Sequence, residues 1–145
     1  MAKELYFQDI SVGDPIPILV KKPVNKVQLV RYAGASGDFN PLHTDPEVGK
    51  AVGIGQIAHG MLIMGFVGQA VTNWIPKKYL RKFSVRFAGM TRPDDVITVT
   101  GKVTDKKQEK ENKIIRGELL AKNQKDEVVM KGMWTVLIMS KPSVG

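Results

Sequence analysis

Apolar residues recur at helical spacing through the first half of the chain and at every second position through the latter half. Ile10–Asp14 reads as a turn built on Gly13 and Asp14, and Ile16–Val20 as a short extended run closed by Lys21, Lys22 and Pro23. Asn25 is suited to cap a helix, and Gln28 three residues later completes a capping-box pattern. That helix is expected to turn Val27, Val30 and Leu29 inward and to end at Gly34. Residues 35–43 are too rich in Gly, Asn and Pro for helix or strand and read as a loop. Thr44 or Asp45 then caps a second short helix, with Pro46 at its first position, Glu47 in its first turn and Gly53 and Gly55 at its close. From His59 to about Trp74 runs the longest helical segment, apolar nearly all round, and Pro76 stops it. A helix with almost no polar face belongs in the middle of something.

Beyond it the period is two. Phe83, Val85 and Phe87 alternate with Lys82, Ser84 and Arg86, and Ile97, Val99 and Val103 alternate with polar residues, with Arg92–Asp95 as the turn between these strands. Asp105–Lys113 carries mixed charge and reads as a solvated hairpin tip. Strands near Ile114–Lys122 and Glu127–Ser140 follow, joined by the turn Asn123–Asp126, and Lys141–Gly145 reads as a frayed tail. Helices followed by antiparallel strands make an α+β layout in which a curved sheet wraps one apolar helix. Such a sheet covers one side of the helix and leaves edge strands open, so dimerisation is expected.

At 145 residues the chain is expected to be one domain with a full core. It has no cysteine, which removes thiol chemistry and Cys-based metal sites. The N-terminus lacks a secretory pattern and the apolar stretch near Met61–Ala70 is too short to span a bilayer, so a cytoplasmic protein is expected. The net charge of +8 favours anionic partners. Nucleic acid is not expected, because the lysine-rich stretch 105–113 has no interleaved aromatics and carries Asp105, Glu109 and Glu111.

The chemistry centres on Ser36–His43, SGDFNPLH. Pro41 fixes a backbone angle, Gly37 permits close approach and Asn40 is able to bond the loop's own backbone, so the turn can aim Asp38 and His43 at one point. A carboxylate and an imidazole held that way are able to share a water, one taking a proton and the other returning one, as addition of water to a polarised double bond requires. The same dipeptides also occur in plain surface turns, where Asp38 would cap backbone amides. Gly60 opens the apolar helix, where free N–H groups and the helix dipole favour a thioester oxygen turning enolate-like. His59 beside it reads as a buried imidazole bonded to backbone. Gly53, Gly55 and Gly60 do not make a dinucleotide cradle, since no strand precedes them and the third glycine falls late. His43, Asp45 and Asp38 lack metal-ligand spacing, so no metal is expected.

These residues resemble the MaoC-like, or (R)-specific enoyl-CoA hydratase (hydratase 2), family of hot-dog-fold proteins. The family's aromatic, small residues and G-D-x-N-P-[aliphatic]-H are matched by Tyr32 and Ser36–His43; Ile57–Leu62, IAHGML, is similar to its stretch at the start of the central helix, and Val85-Arg86-Phe87 to its first long strand. Its P-G-D turn stands here as Pro93-Asp94-Asp95, a departure away from the chemistry. The resemblance spans Gly13-Asp14 to the last strand and is nearest to bacterial (3R)-hydroxyacyl-ACP dehydratase catalytic subunits. It implies a single hot-dog domain over 1–145, paired as a homodimer or with a related non-catalytic chain. It implies Asp38 and His43 as the catalytic pair, the Gly60 N–H as oxyanion donor, and Asn40 and Ser36 as loop support. It implies reversible hydration of a trans-2-enoyl thioester to the (R)-3-hydroxyacyl thioester, carried on coenzyme A or acyl carrier protein, with no cofactor. On that reading Phe39, Met61, Met64 and Phe66 would line the acyl chain, and Lys77, Lys78 and Arg81 would meet phosphates or an acidic carrier protein. The alternatives are a non-catalytic acyl-thioester-binding module, which would be expected to lack Asp38 or His43, and a hot-dog thioesterase, which would release free thiol.

Overall fold

Period-two burial in the second half of the chain produces a single sheet in a computed structural model, which describes residues 2–145. Strands β1 (Leu19–Val20), β2 (Leu80–Phe87), β3 (Thr98–Glu109), β4 (Asn112–Lys122) and β5 (Val128–Leu137) lie antiparallel in the order β1-β3-β4-β5-β2. The segment 92–95 is indeed a turn, with Asp94 at φ 73°, but β2 and β3 are not neighbours: β2 crosses to the far edge and pairs with β5. Alternation gives a strand's faces but not its partner, so the turn lies between β2 and β3 in the chain without pairing them. The charged stretch 105–113 is likewise strand rather than loop. Asp105 to Glu109 pair with Arg116 to Asn112, and only Lys110 and Glu111 turn. Ladder bonds satisfy the backbone there, and the ion pairs Arg116–Asp105 (3.2 Å) and Lys107–Glu109 (2.7 Å) lie on its exposed faces.

The helix α4 (Gly60–Trp74) packs across β2, β3, β4 and β5 as expected. Ile63, Phe66, Val67, Ala70 and Val71 are its buried side and meet Val99, Val103, Ile115, Leu119, Met130, Trp134 and Val136 in one cluster. Two glycines set the approach. Added Cβ atoms at Gly68 and Gly132 would lie 3.3 Å from Phe83 and from Val67, so helix and strands come to contact distance there. The helix is not covered all round, since Met61 and Gly65 are exposed. Among the described residues, no helix is long and apolar enough to cross a membrane.

Three shorter helices precede α4: α1 (Lys26–Ser36), α2 (Pro41–Thr44) and α3 (Pro46–Ala51). The Asn25 side chain accepts from the Gln28 N–H at 2.8 Å, which is the N-cap half of the expected box. Gly34 does not end α1. The helix runs on to Ser36, and Gly37, at φ 77°, makes the left-handed exit. Its inward residues are Leu29 and Ala33, while Val27 and Val30 are 61% and 57% exposed, which reverses the expected face for both valines. Lys141 does not fray: its ammonium meets Asp9 at 2.5 Å and its N–H donates to Gln8. That ammonium holds the Asp9 carboxyl below its ordinary range, so the tie is present at neutral pH and is lost as acid protonates Asp9.

Candidate active site

The stretch read as a loop, 35–43, is a helix end, a four-residue bend and a new helical turn. Asp38 sits in the bend and His43 on α2. Each polar group of the bend has a use. The Ser36 hydroxyl oxygen accepts from the Asp38 N–H (3.1 Å), the Asn40 N–H donates to Asp38 Oδ1 (3.2 Å), and Asn40 Oδ1 accepts from the Leu42 N–H (3.1 Å) and so caps α2. One carboxylate oxygen is thereby held by backbone, and the other, Oδ2, faces His43 Nε2 at 3.6 Å.

The imidazole is fixed from behind. His43 Nδ1 lies 2.9 Å from the carbonyl oxygen of Ile57, which only accepts, so Nδ1 carries the proton and Nε2 of the neutral ring presents a lone pair to Asp38. Two acceptors 3.6 Å apart do not bond directly. A water placed to one side of that line would be able to donate to both. The segment 56–58 that supplies this support is itself tied, with Gln56 Nε2 donating to the His43 carbonyl (2.8 Å), Ile57 N–H to Leu42 O (3.1 Å) and Ala58 N–H to Thr91 O (2.7 Å). Arg92 clamps the preceding turn through the Ile54 carbonyl.

Gly60 starts α4, where no intrahelical carbonyl reaches its N–H and the positive end of the helix dipole lies. It lines a cavity of about 160 Å³ together with His43, Ile57, Ile63, Phe87, Thr91 and Met130. A Cβ on Gly60 would sit 2.8 Å from the Phe87 ring, so that ring roofs the glycine. Asp38, His43 and Gly60, expected together from the sequence, are therefore brought to one place. Of the expected acyl-lining residues, Phe39 is 69% exposed, Met61 is exposed in the first turn of α4, Met64 is half-buried and Phe66 is core, under Lys21. Lys77, Lys78 and Arg81 lie past the other end of α4, a helix about 22 Å long. Lys78 is near Glu4 (3.9 Å), and Arg81 donates to the carbonyl of Lys78 (2.6 Å).

Sequence reasoning missed Ile63, Phe87, Thr91 and Met130 as lining. Ile63 was within reach, since it stands three residues after Gly60 on the same helical face. The lining from β5 was not, because it depends on the β2–β5 pairing. Asp38, His43 and His59 offer ligand atoms within 4.8 Å of one another, a grouping with the composition of a metal site. The two imidazoles stack, however, so their in-plane lone pairs run side by side rather than converge, and Asp45 is spent capping α3 at Glu47 (2.9 Å).

The profile of the MaoC-like domain matches residues 9–125. The chain belongs to the MaoC-like family. It is 29% identical over 140 residues to the (R)-specific enoyl-CoA hydratase of Rhodospirillum rubrum, covering 94% of this chain and 93% of that one. It is 27% identical over 105 residues to the 3-hydroxybutyryl-CoA dehydratase of Methylorubrum extorquens, covering 70% and 65%. Among solved structures, the (R)-hydratase from A. caviae involved in PHA biosynthesis superposes with a TM-score of 0.80 at 25% identity, covering 90% of this chain and 98% of that one. The MaoC-like fold, a curled antiparallel sheet around one helix, is thus that of the hot-dog hydratases, as the G-D-x-N-P-x-H stretch implies.

Proposed function

We propose that this chain catalyses the reversible addition of water to a trans-2-enoyl thioester, giving the (R)-3-hydroxyacyl thioester. The observation that carries this is the facing pair Asp38 Oδ2 and His43 Nε2, both acceptors, beside a helix-start N–H at Gly60. Water held between them loses a proton to one of the pair as its oxygen bonds to C3. The double-bond electrons move to the thioester oxygen, which becomes enolate-like and is met by the Gly60 N–H and the helix dipole. As the enolate collapses, the pair delivers to C2 the proton it took from water, so H and OH are both added and the two acceptors are restored. The reaction balances without a redox or metal cofactor. The chain is a hydro-lyase, and the test is loss of the enoyl absorbance of crotonyl-CoA without release of free thiol; thiol release would indicate a thioesterase instead.

Gly60→Ala tests the oxyanion position. The new Cβ enters the cavity against Phe87, a ring at an exposed edge that is able to shift, so the thermal midpoint is expected to hold while kcat/KM falls about tenfold. An unchanged kcat/KM would remove Gly60 from the reaction.

The proposal includes a dimer that joins two copies along β2 and serves coenzyme A or a carrier protein. β2 has β5 on one side and no strand on the other. Antiparallel pairing with a second β2 lays the partner copy's start of that strand beside this copy's Phe87 end, which roofs Gly60. That would carry a second copy's basic cluster, the same Lys77, Lys78 and Arg81 that lie far from the site within one copy, to its mouth. Light scattering is expected to give twice the monomer mass. Replacing Lys77 and Lys78 by Glu is expected to raise KM for crotonyl-CoA about tenfold at low salt, less at high salt, and not for the pantetheine thioester, which lacks the nucleotide phosphates.

A further inference from the structure

His59 is 1% exposed and touches both halves of the catalytic pair. Its Nε2 lies 3.0 Å from the backbone carbonyl of Asp38, and its ring stacks on His43 with centroids 3.9 Å apart and planes 27° from parallel. On its own side Tyr32 closes edge-on at 4.8 Å. The residue also opens α4, its carbonyl accepting from the Leu62 N–H (3.1 Å), so the ring is anchored one position before Gly60. Its remaining nitrogen, Nδ1, is buried with no hydrogen-bond partner among the described residues. An unpaired buried acceptor costs stability, and an apolar ring of the same shape would avoid that cost. The polar ring therefore needs a use, and the bond to Asp38 supplies one.

We infer that His59 is a positioning residue for the hydration reaction, setting Asp38 through the bond to its backbone carbonyl. The inference rests on the hydratase reading for its kinetic consequence but not for its geometry. Asp38 is the less enclosed of the pair, its side chain 53% exposed against 12% for His43. The bond from His59 anchors its backbone from beneath, while Ser36 and Asn40 hold it from the bend. A carboxylate displaced by about 1 Å loses on the order of a hundredfold in rate.

The chain has two histidines, so their ring nitrogens are read without ambiguity in a 15N spectrum of the full chain. The structure demands opposite tautomers at neutral charge: Nδ1–H in His43, which donates to Ile57, and Nε2–H in His59, which donates to Asp38. His59→Phe keeps the stack and loses the donor, whereas His59→Gln restores a donor at similar reach. For crotonyl-CoA hydration, kcat is expected to fall ten- to a hundredfold in His59→Phe with KM within about twofold. His59→Gln is expected to stay within about threefold of the wild-type kcat. An Nδ1–H tautomer at His59 would overturn the inference whether or not the chain hydrates crotonyl-CoA. Full activity in His59→Phe, or equal loss in both variants alongside a lowered thermal midpoint, would also overturn it. A wild-type chain silent on every enoyl thioester would instead strike the hydratase reading, and the tautomers would still decide the geometry.

Discussion

Asp38→Asn and His43→Gln are each expected to slow hydration of crotonyl-CoA by about 10²–10⁴-fold, with thermal midpoints within a few degrees of the parent chain. The size of the loss follows from how the pair is held. In Asp38→Asn the Oδ1 position still accepts from the Asn40 N–H, so the bend keeps its shape, but an amide N–H now stands where Oδ2 stood. It faces the lone pair on His43 Nε2 as a donor and leaves no carboxylate to accept a proton from water. In His43→Gln the acceptor fixed by Ile57 is gone, and an amide does not take up a proton at neutral pH. Folding survives because neither side chain belongs to the hydrophobic core. The check is the enoyl absorbance with a parallel thiol assay. Either variant working at the parent rate would end the assignment of that residue.

Gly117→Ala is expected to be strongly damaging, lowering stability by ~3 kcal/mol and the thermal midpoint by about 10 °C. Gly117 on β4 stands opposite Trp134 on β5, and the indole lies across the glycine. An added Cβ would fall inside the van der Waals surface of that ring and of the Lys102 carbonyl. Trp134 is 1% exposed and stacks edge-on with Trp74 of α4 at 5.3 Å, so it has nowhere to move without disturbing the helix. Trp134→Phe shrinks the ring but not the carbonyl, so the double variant is expected to recover part of the loss relative to the sum of the singles. Thermal unfolding of the four proteins measures this. An unaltered midpoint in Gly117→Ala would refute the packing account.

How much of this was legible beforehand depended on whether the information was local. The caps at Asn25 and Asp45, the span of α4 and the presence of strands at β4 and β5 are short-range features, and the folded chain has them. The face of α1 differs from the expected one because valines such as Val27 and Val30 look like core, whereas Leu29 and Ala33 are the residues that are buried. The crossover of β2 to the far edge was invisible, since pairing is settled by the partner strand some fifty residues later. At the site, the spacing of Asp38 and His43 left a plain surface turn open, and it was the resemblance of the G-D-x-N-P-x-H stretch that placed them with Gly60. Why His43 presents Nε2 was not readable. That depends on the Ile57 carbonyl, a backbone group that every residue type carries.

The position of α4 in the chain order has a consequence for biosynthesis. The helix ends at Trp74, but three of the strands that bury it, β3, β4 and β5, are complete only at Leu137. At roughly 5–20 residues per second, the ribosome takes about 3–12 s to add the intervening residues. For that interval Ile63, Phe66, Val67 and Val71 have no sheet to cover them. Until those strands are made, the apolar face of α4 lacks the cover it has in the folded chain, and slower elongation lengthens that interval.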